Sequence, residues 1–203
     1  MGGGTHRLAR GRAPFAVVLA AAGLFAFVPR PAHANPSMRT IAAVAGGLIG
    51  WAAADPAVTT PDGGSNLFAA GAFDRVDRVA QTSDVEFQHR WGGFLLWRAK
   101  PFVGAGVTGR RSVYAFAGLV LGVHATRHLV ISPSLAVAAY YRGGGKDLGS
   151  PVDFRSGVDV QWRFRGGARL GIAYHHISHW FLFGAFNPGT EVLDLTFSYP
   201  LGR

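Results

Sequence analysis

Cysteine is absent from the 203 residues, which excludes a disulfide framework, a thiolate nucleophile and any cysteine-based metal site. Charged residues are scarce at 15%. Glycine, with 29 residues, and aromatics, at 12%, are abundant, the opposite of the balance that keeps a chain disordered. Sustained helical stripes are also missing: from Asn66 onward no segment repeats apolar residues at the 3.6-residue period. No basic stripe interleaved with aromatics is found, so nothing points to nucleic acid.

The N-terminus reads as an export signal. Thr5 to Arg12 (THRLARGR) is basic, Pro14 to Val28 is almost wholly apolar, and Ala32-His33-Ala34 has the small-x-small form of a cleavage site. A second reading competes with it: Met38-Arg39, the apolar run Ile41 to Trp51 and Ala52-Ala53-Ala54 also make a short signal peptide. The expected organisation is a signal peptide over 1–34, an N-terminal segment over 35–65 and a barrel domain over 66–203; the alternative is a start at Met38 with cleavage after Ala54. Both give an exported product beginning between Asn35 and Asp55. Both apolar runs are shorter than the roughly 20 residues that span a bilayer as a helix. The formal charge of +9 falls to +5 without the first 34 residues, which hold four arginines and no acid. A mildly basic surface suits an anionic lipid partner and equally suits an ordinary solvated face.

From Asn66 the chain breaks into short segments of period two, separated by Gly, Pro, Asp or Asn. The strands are expected over 66–74, 82–91, 100–108, 112–124, 128–142, 152–164, 168–178 and 190–200. Alternation is clearest where Phe154, Val158, Val160, Trp162 and Phe164 share one face and Asp153, Arg155, Asp159, Gln161 and Arg163 the other. Eight strands with charge inside and bulk outside describe an all-β, eight-stranded antiparallel outer-membrane β-barrel, closed because an open edge in lipid would leave backbone groups unsatisfied. A soluble barrel would expose the apolar face to water. Short connections near 125–127 and 165–167 fit periplasmic turns, and longer ones at 143–151 and 179–189 fit outer loops; 92–99 is long for a periplasmic turn and 109–111 short for an outer loop. The inward charges are expected to fill a barrel too narrow for a pore.

On the seventh strand Leu170, Ile172, Tyr174, His176 and Ser178 share the apolar face; on the eighth Glu191, Leu193, Leu195, Phe197 and Tyr199 do. His176 and Ser178, two residues apart, have backbones about 6.6 Å apart, close enough for an imidazole leaning along the strand to reach the hydroxyl. Glu191 lies opposite or diagonal to them in any plausible hairpin register. An imidazole and a carboxylate facing lipid cost free energy unless paired. The chemistry this suggests is Ser178 as nucleophile, His176 as general base and acid, and Glu191 orienting the imidazole. A lone His-x-Ser is a weak signal, and polar residues of this kind also occur at membrane interfaces without catalysis. His175 points inward and reads as a satisfied lumen residue. His89, His124 and His128 are scattered with no carboxylate at ligand spacing, so no metal is expected.

At these residues the sequence resembles the lipid A 3-O-deacylase (PagL-type) family and its acyloxyacyl hydrolase-like relatives, from about Asn66 to the C-terminus. The similarity is strongest over Gly145 to Gly157 (GKDLGSPVDFRSG) and His175 to Glu191 (HHISHWFLFGAFNPGTE). The family's His-x-Ser matches His176-Ile177-Ser178, and its Asn-Pro-Gly-x-Glu matches Asn187-Pro188-Gly189-Thr190-Glu191. The resemblance implies an outer-membrane barrel with a Ser-His-Glu triad facing the outer leaflet, hydrolysing the ester-linked 3-hydroxyacyl chain at position 3 of lipid A. Two departures stand out: the residue after the serine, usually Asn in the family, is His179, and the serine-to-glutamate segment is one residue longer. If the family Asn helps to stabilise the oxyanion, His179, Asn187 or a loop backbone N–H such as that of Gly189 replaces it. The expectation is therefore a serine esterase of the cell outer membrane that needs no cofactor and acts on lipid A or lipopolysaccharide of the outer leaflet. A homodimer is left open. The alternative is a non-catalytic structural barrel on the same scaffold.

Overall fold

The computed structural model describes residues 36–59, 62–180 and 182–202; the signal peptide expected over 1–34 lies outside them. Among the described residues a helix, α1 (Pro36–Ala54), and a 3-10 turn (Pro56–Val58) precede nine strands: β1 (Ser65–Phe73), β2 (Thr82–Arg90), β3 (Lys100–Thr108), β4 (Val113–Val120), β5 (Val123–His124), β6 (Leu129–Tyr141), β7 (Val152–Arg163), β8 (Arg169–Ser178) and β9 (Thr190–Pro200). Every pairing is antiparallel, β1 pairs with β9, and β4 pairs with β6, so the sheet closes. The two-residue β5 continues β4 along β6 in the same register, since Val120 faces Ser134 and Val123 faces Ile131. The barrel is therefore eight-stranded, with one strand interrupted at Leu121-Gly122. The cause is Pro133 opposite Leu121: its carbonyl accepts from Leu121 N at 2.9 Å, but it has no N–H to return.

Strand alternation sorts the side chains. Phe68, Phe87, Val107, Val137, Trp162, Ile172, Leu195, Phe197 and Tyr199 are exposed on the outside, a continuous apolar band far larger than water tolerates and suited to lipid. Aromatic residues mark both ends of the band, Trp91 and Trp97 at one and Trp180, Phe183 and Phe186 at the other. The lumen is filled. Arg155 Nη2 donates to Glu86 Oε1 at 2.8 Å and to Oε2 at 2.9 Å, Arg90 is paired with Asp159, and Tyr114 donates to Asp84 at 2.7 Å. Arg163, expected in this network, is instead half-exposed at the end of β7, and Asp153 points inward with no hydrogen-bond partner among the described residues.

Both ends of the barrel sequence, Ser65 and Pro200, sit side by side. That end is periplasmic in an even-stranded barrel, so the outer loops are L1 (74–81), L2 (109–112), L3 (142–151) and L4 (179–189). L2 is short and the periplasmic 91–99 connection long, as the sequence indicated. Lys146 ties L3 to L1 through Asp74 and Asp77, each at 2.8 Å. Burial disfavours its charge, but the two carboxylates win and raise its pKa. Helix α1 lies against the outside of β6 and β7, with Leu48 and Ala52 packed with Val58 on Leu121 and Val123. Among the described residues no helix is long and apolar enough to cross a membrane.

Candidate active site

The β7–β8–β9 register builds a row of polar residues on the lipid face. His176 pairs directly with Glu191 on β9 and with Ser156 on β7, and Ser178 pairs with Phe154. Cross-strand partners point to the same face, so Ser156, His176 and Glu191 form a line with Ser178 one step nearer the outer rim. His176 is 3% exposed, Ser178 2% and Glu191 0%. His176 Nδ1 lies 3.2 Å from Glu191 Oε1. A carboxylate accepts only, so Nδ1 carries the proton and Nε2 is left as the acceptor.

The expected contact between His176 and Ser178 is not closed. Ser178 Oγ donates instead to Met38 Sδ at 3.8 Å, from the first turns of α1. Sulfur is a weak acceptor, so this bond holds the hydroxyl loosely. Phe154 stacks on Trp180 with ring centroids 4.5 Å apart and 14° between planes, making an aromatic wall beside Ser178.

L4 closes over the row. Gly189 has φ +61°, and a Cβ there would stand 2.9 Å from His176 Cε1 and 3.2 Å from Nε2; only glycine permits both the left-handed backbone and the approach. Asn187 Oδ1 accepts from His179 N at 3.2 Å, leaving Nδ2 as the donor that Asn187 can offer. His179 is buried, and its Nε2 lies 2.9 Å from the Phe186 carbonyl, to which it must donate. Its ring and amide thus hold L4 together.

His175 is the lumen residue that alternation indicated. Arg155 Nη2 donates to its Nδ1 at 3.1 Å, and Nε2 lies 3.2 Å from Asp159 Oδ1. His89, His124 and His128 are each engaged elsewhere, by Asn66 Oδ1, Asp62 Oδ2 and the Arg163 carbonyl. Two residues at the site were not singled out by the sequence: Ser156, one serine in an alternating strand although inside the similar stretch Gly145 to Gly157, and Met38, far away along the chain.

Three solved structures align with the barrel to differing degrees. Among solved structures, the crystal structure of the outer membrane enzyme PagL aligns with a TM-score of 0.53 and 20% identity, over 68% of this chain and 99% of that one. A de novo designed transmembrane beta-barrel aligns at 0.48 and 11% identity, covering 69% and 98%. The Yersinia pestis outer membrane protein Ail aligns at 0.43 and 10%, covering 68% and 100%. No curated protein sequence matches. At 20% identity the likeness to the PagL structure shows the fold alone. The family model for lipid A 3-O-deacylase (PagL) matches residues 70–200, more than half of the chain and every strand of the barrel in whole or part. The chain therefore belongs to the PagL family of outer-membrane lipid A deacylases.

Proposed function

We propose that this barrel is a serine esterase in which Ser178, His176 and Glu191 act as one unit to release the 3-hydroxyacyl chain from position 3 of lipid A. The observation that carries the reading is the buried His176–Glu191 pair on the lipid face, with a hydroxyl two residues along the same strand. A carboxylate and an imidazole held outside a barrel cost free energy that structure alone has no reason to spend. Glu191 fixes the imidazole so that Nε2 accepts the Ser178 proton. Ser178 Oγ attacks the ester carbonyl, and His176 hands that proton to the departing sugar oxygen. Water, deprotonated by His176, then attacks the acyl-serine and frees the 3-hydroxy fatty acid and Ser178.

The oxyanion needs donors at the rim, which the Gly189 N–H and Asn187 Nδ2 supply in this reading. The acyl chain comes from the bilayer, along the strip that α1 covers, so the strip opens when α1 leaves. Removal of the leader after Ala54 achieves that. All three residues come from one chain, and the reading needs no second copy.

Mass analysis of lipid A from cells expressing the protein tests this. Wild type is expected to remove one 3-hydroxyacyl group, and Ser178→Ala to prevent it while heat-modifiable barrel migration stays unchanged. Trimming by Ser178→Ala at the wild-type rate would refute the triad. No trimming by wild type, in membranes or in detergent micelles, would favour the structural barrel.

A further inference from the structure

Ser156 occupies a place that neither packing nor the triad explains. It stands on β7 directly opposite His176, on the outer face of the barrel, and is 8% exposed. Its Oγ has no hydrogen-bond partner among the described residues. Asp84, Ser134, Gln161 and Asp194 also carry unpartnered buried oxygens, but they face the lumen, where a water molecule can partner them. Apart from His176, whose Nδ1 is engaged by Glu191, the neighbours of Ser156 are apolar: along its own strand Phe154 and Val158 share its face, and on β6 Leu135 is its cross-strand partner. A hydroxyl in such a strip is unfavourable until something polar arrives to bond it.

We propose that Ser156 is a specificity-determining residue that hydrogen-bonds the 3-hydroxyl of the acyl chain. The proposal rests on the reading of Ser178 as nucleophile. Phe154 pairs with Ser178 and Ser156 with His176, so Ser156 lies one strand over and about 7 Å deeper into the bilayer than Ser178. An acyl chain whose carbonyl carbon sits at Ser178 Oγ descends in that direction. Its third carbon is the first beyond the carbonyl to carry a polar group, and with the chain extended the three bonds to that hydroxyl plus a hydrogen bond of about 2.8 Å span the step from Ser178 to Ser156. An oxyanion role does not fit, because the oxyanion stays bonded to the carbon at Ser178 Oγ, a diagonal step away, and an oxyanion donor must stand within about 3 Å. A site built to bond a substrate hydroxyl discriminates against the analogue without it, since the protein group is then left unpaired.

The test compares two matched synthetic glucosamine 3-O-esters, one with a 3-hydroxytetradecanoyl and one with a tetradecanoyl chain. They are presented in detergent micelles to protein expressed from the full reading frame and recovered from outer membranes. Wild type is expected to prefer the hydroxylated ester in kcat/KM. Ser156→Ala should reduce that preference about tenfold, the size of one neutral hydrogen bond, and Ser156→Thr, which keeps a hydroxyl, should restore it. A preference unchanged in Ser156→Ala overturns the proposal, as does a loss of all turnover that Ser156→Thr does not rescue. Activity retained in Ser178→Ala instead removes the triad reading. A dead Ser178→Ala beside an unaltered Ser156→Ala preference removes only the role of Ser156.

Discussion

Two neighbouring histidines divide the molecule. His175 sits in the lumen among Arg155, Asp159 and Glu86, with charge and hydrogen bonds on every side. His176 sits on the outer face with one carboxylate, among side chains made for lipid. The lumen holds far more polar chemistry, yet it is filled and a lipid cannot enter it. The outer face holds little, and a lipid touches it. The difference teaches that in a narrow membrane barrel density of polar contacts reports stability, and that in the proposed mechanism access to lipid is what sets His176 apart.

Substitution breaks this comparison most directly. His176→Ala is expected to lower lipid A deacylation at least about a thousandfold with the barrel intact, and Ser178→Ala equally. The double variant should fall little further, because either change already disables the unit. Glu191→Ala should retain more activity than either. His175→Ala should keep most activity and lose roughly 1–3 kcal/mol of stability through the groups left unpaired, read as a lower temperature of heat-modified migration. The reverse pattern would mean that the β8 faces are exchanged.

Gly189→Ala comes next in size. Its Cβ would press on the His176 ring at 2.9 Å in a left-handed backbone, so a drop of about a hundredfold in kcat is expected from misplaced geometry. A wild-type rate would show that L4 moves freely away from His176.

Helix α1 gives a smaller effect. Behind a heterologous signal peptide, a chain beginning at Asp55 is expected to act about tenfold faster than one beginning at Asn35, as a competent fraction raised from a tenth to near one would produce. Equal rates would mean that the helix vacates the Ser178 strip unaided.

The smallest effect is remote from the site, at the periplasmic mouth. Burial disfavours the Asp62 charge, but the His124 hydrogen bond and the charges of Arg169, His124 and Lys100 overcome it and hold the carboxyl well below the usual range. A depressed carboxylate contributes stability that is fully present above its unfolded pKa, near 4, and lost as pH falls below it. Asp62→Asn should therefore lower the temperature of heat-modified migration at pH 7, converge with wild type as pH drops below about 4, and leave deacylation unchanged.

The strands were legible because their signal is local. All eight expected segments match observed strands to within about a residue, and the one interruption follows from Pro133, visible in the sequence but consequential only once Leu121 stands opposite it. The same alternation put His176 and Ser178 on one face and His175 on the other. Glu191 was different. An eleven-residue L4 without a two-residue turn signature leaves the hairpin register open, so the sequence placed it opposite or diagonal, and the fold chose directly opposite. His179 was one of three residues named as a substitute oxyanion donor, and the fold adds what the sequence did not show, its bonds to Phe186 and Asn187 within the loop.

By itself, then, the sequence determined the strands, the face each strand residue takes and the shared face of His176 and Ser178, because a period of two is written in neighbouring residues. Only the tertiary structure decided that Glu191 meets His176, that Ser156 flanks it and that Met38 covers Ser178. Those contacts join residues 15, 20 and 140 positions apart, and barrel closure, a property of the whole chain, fixes which of them meet.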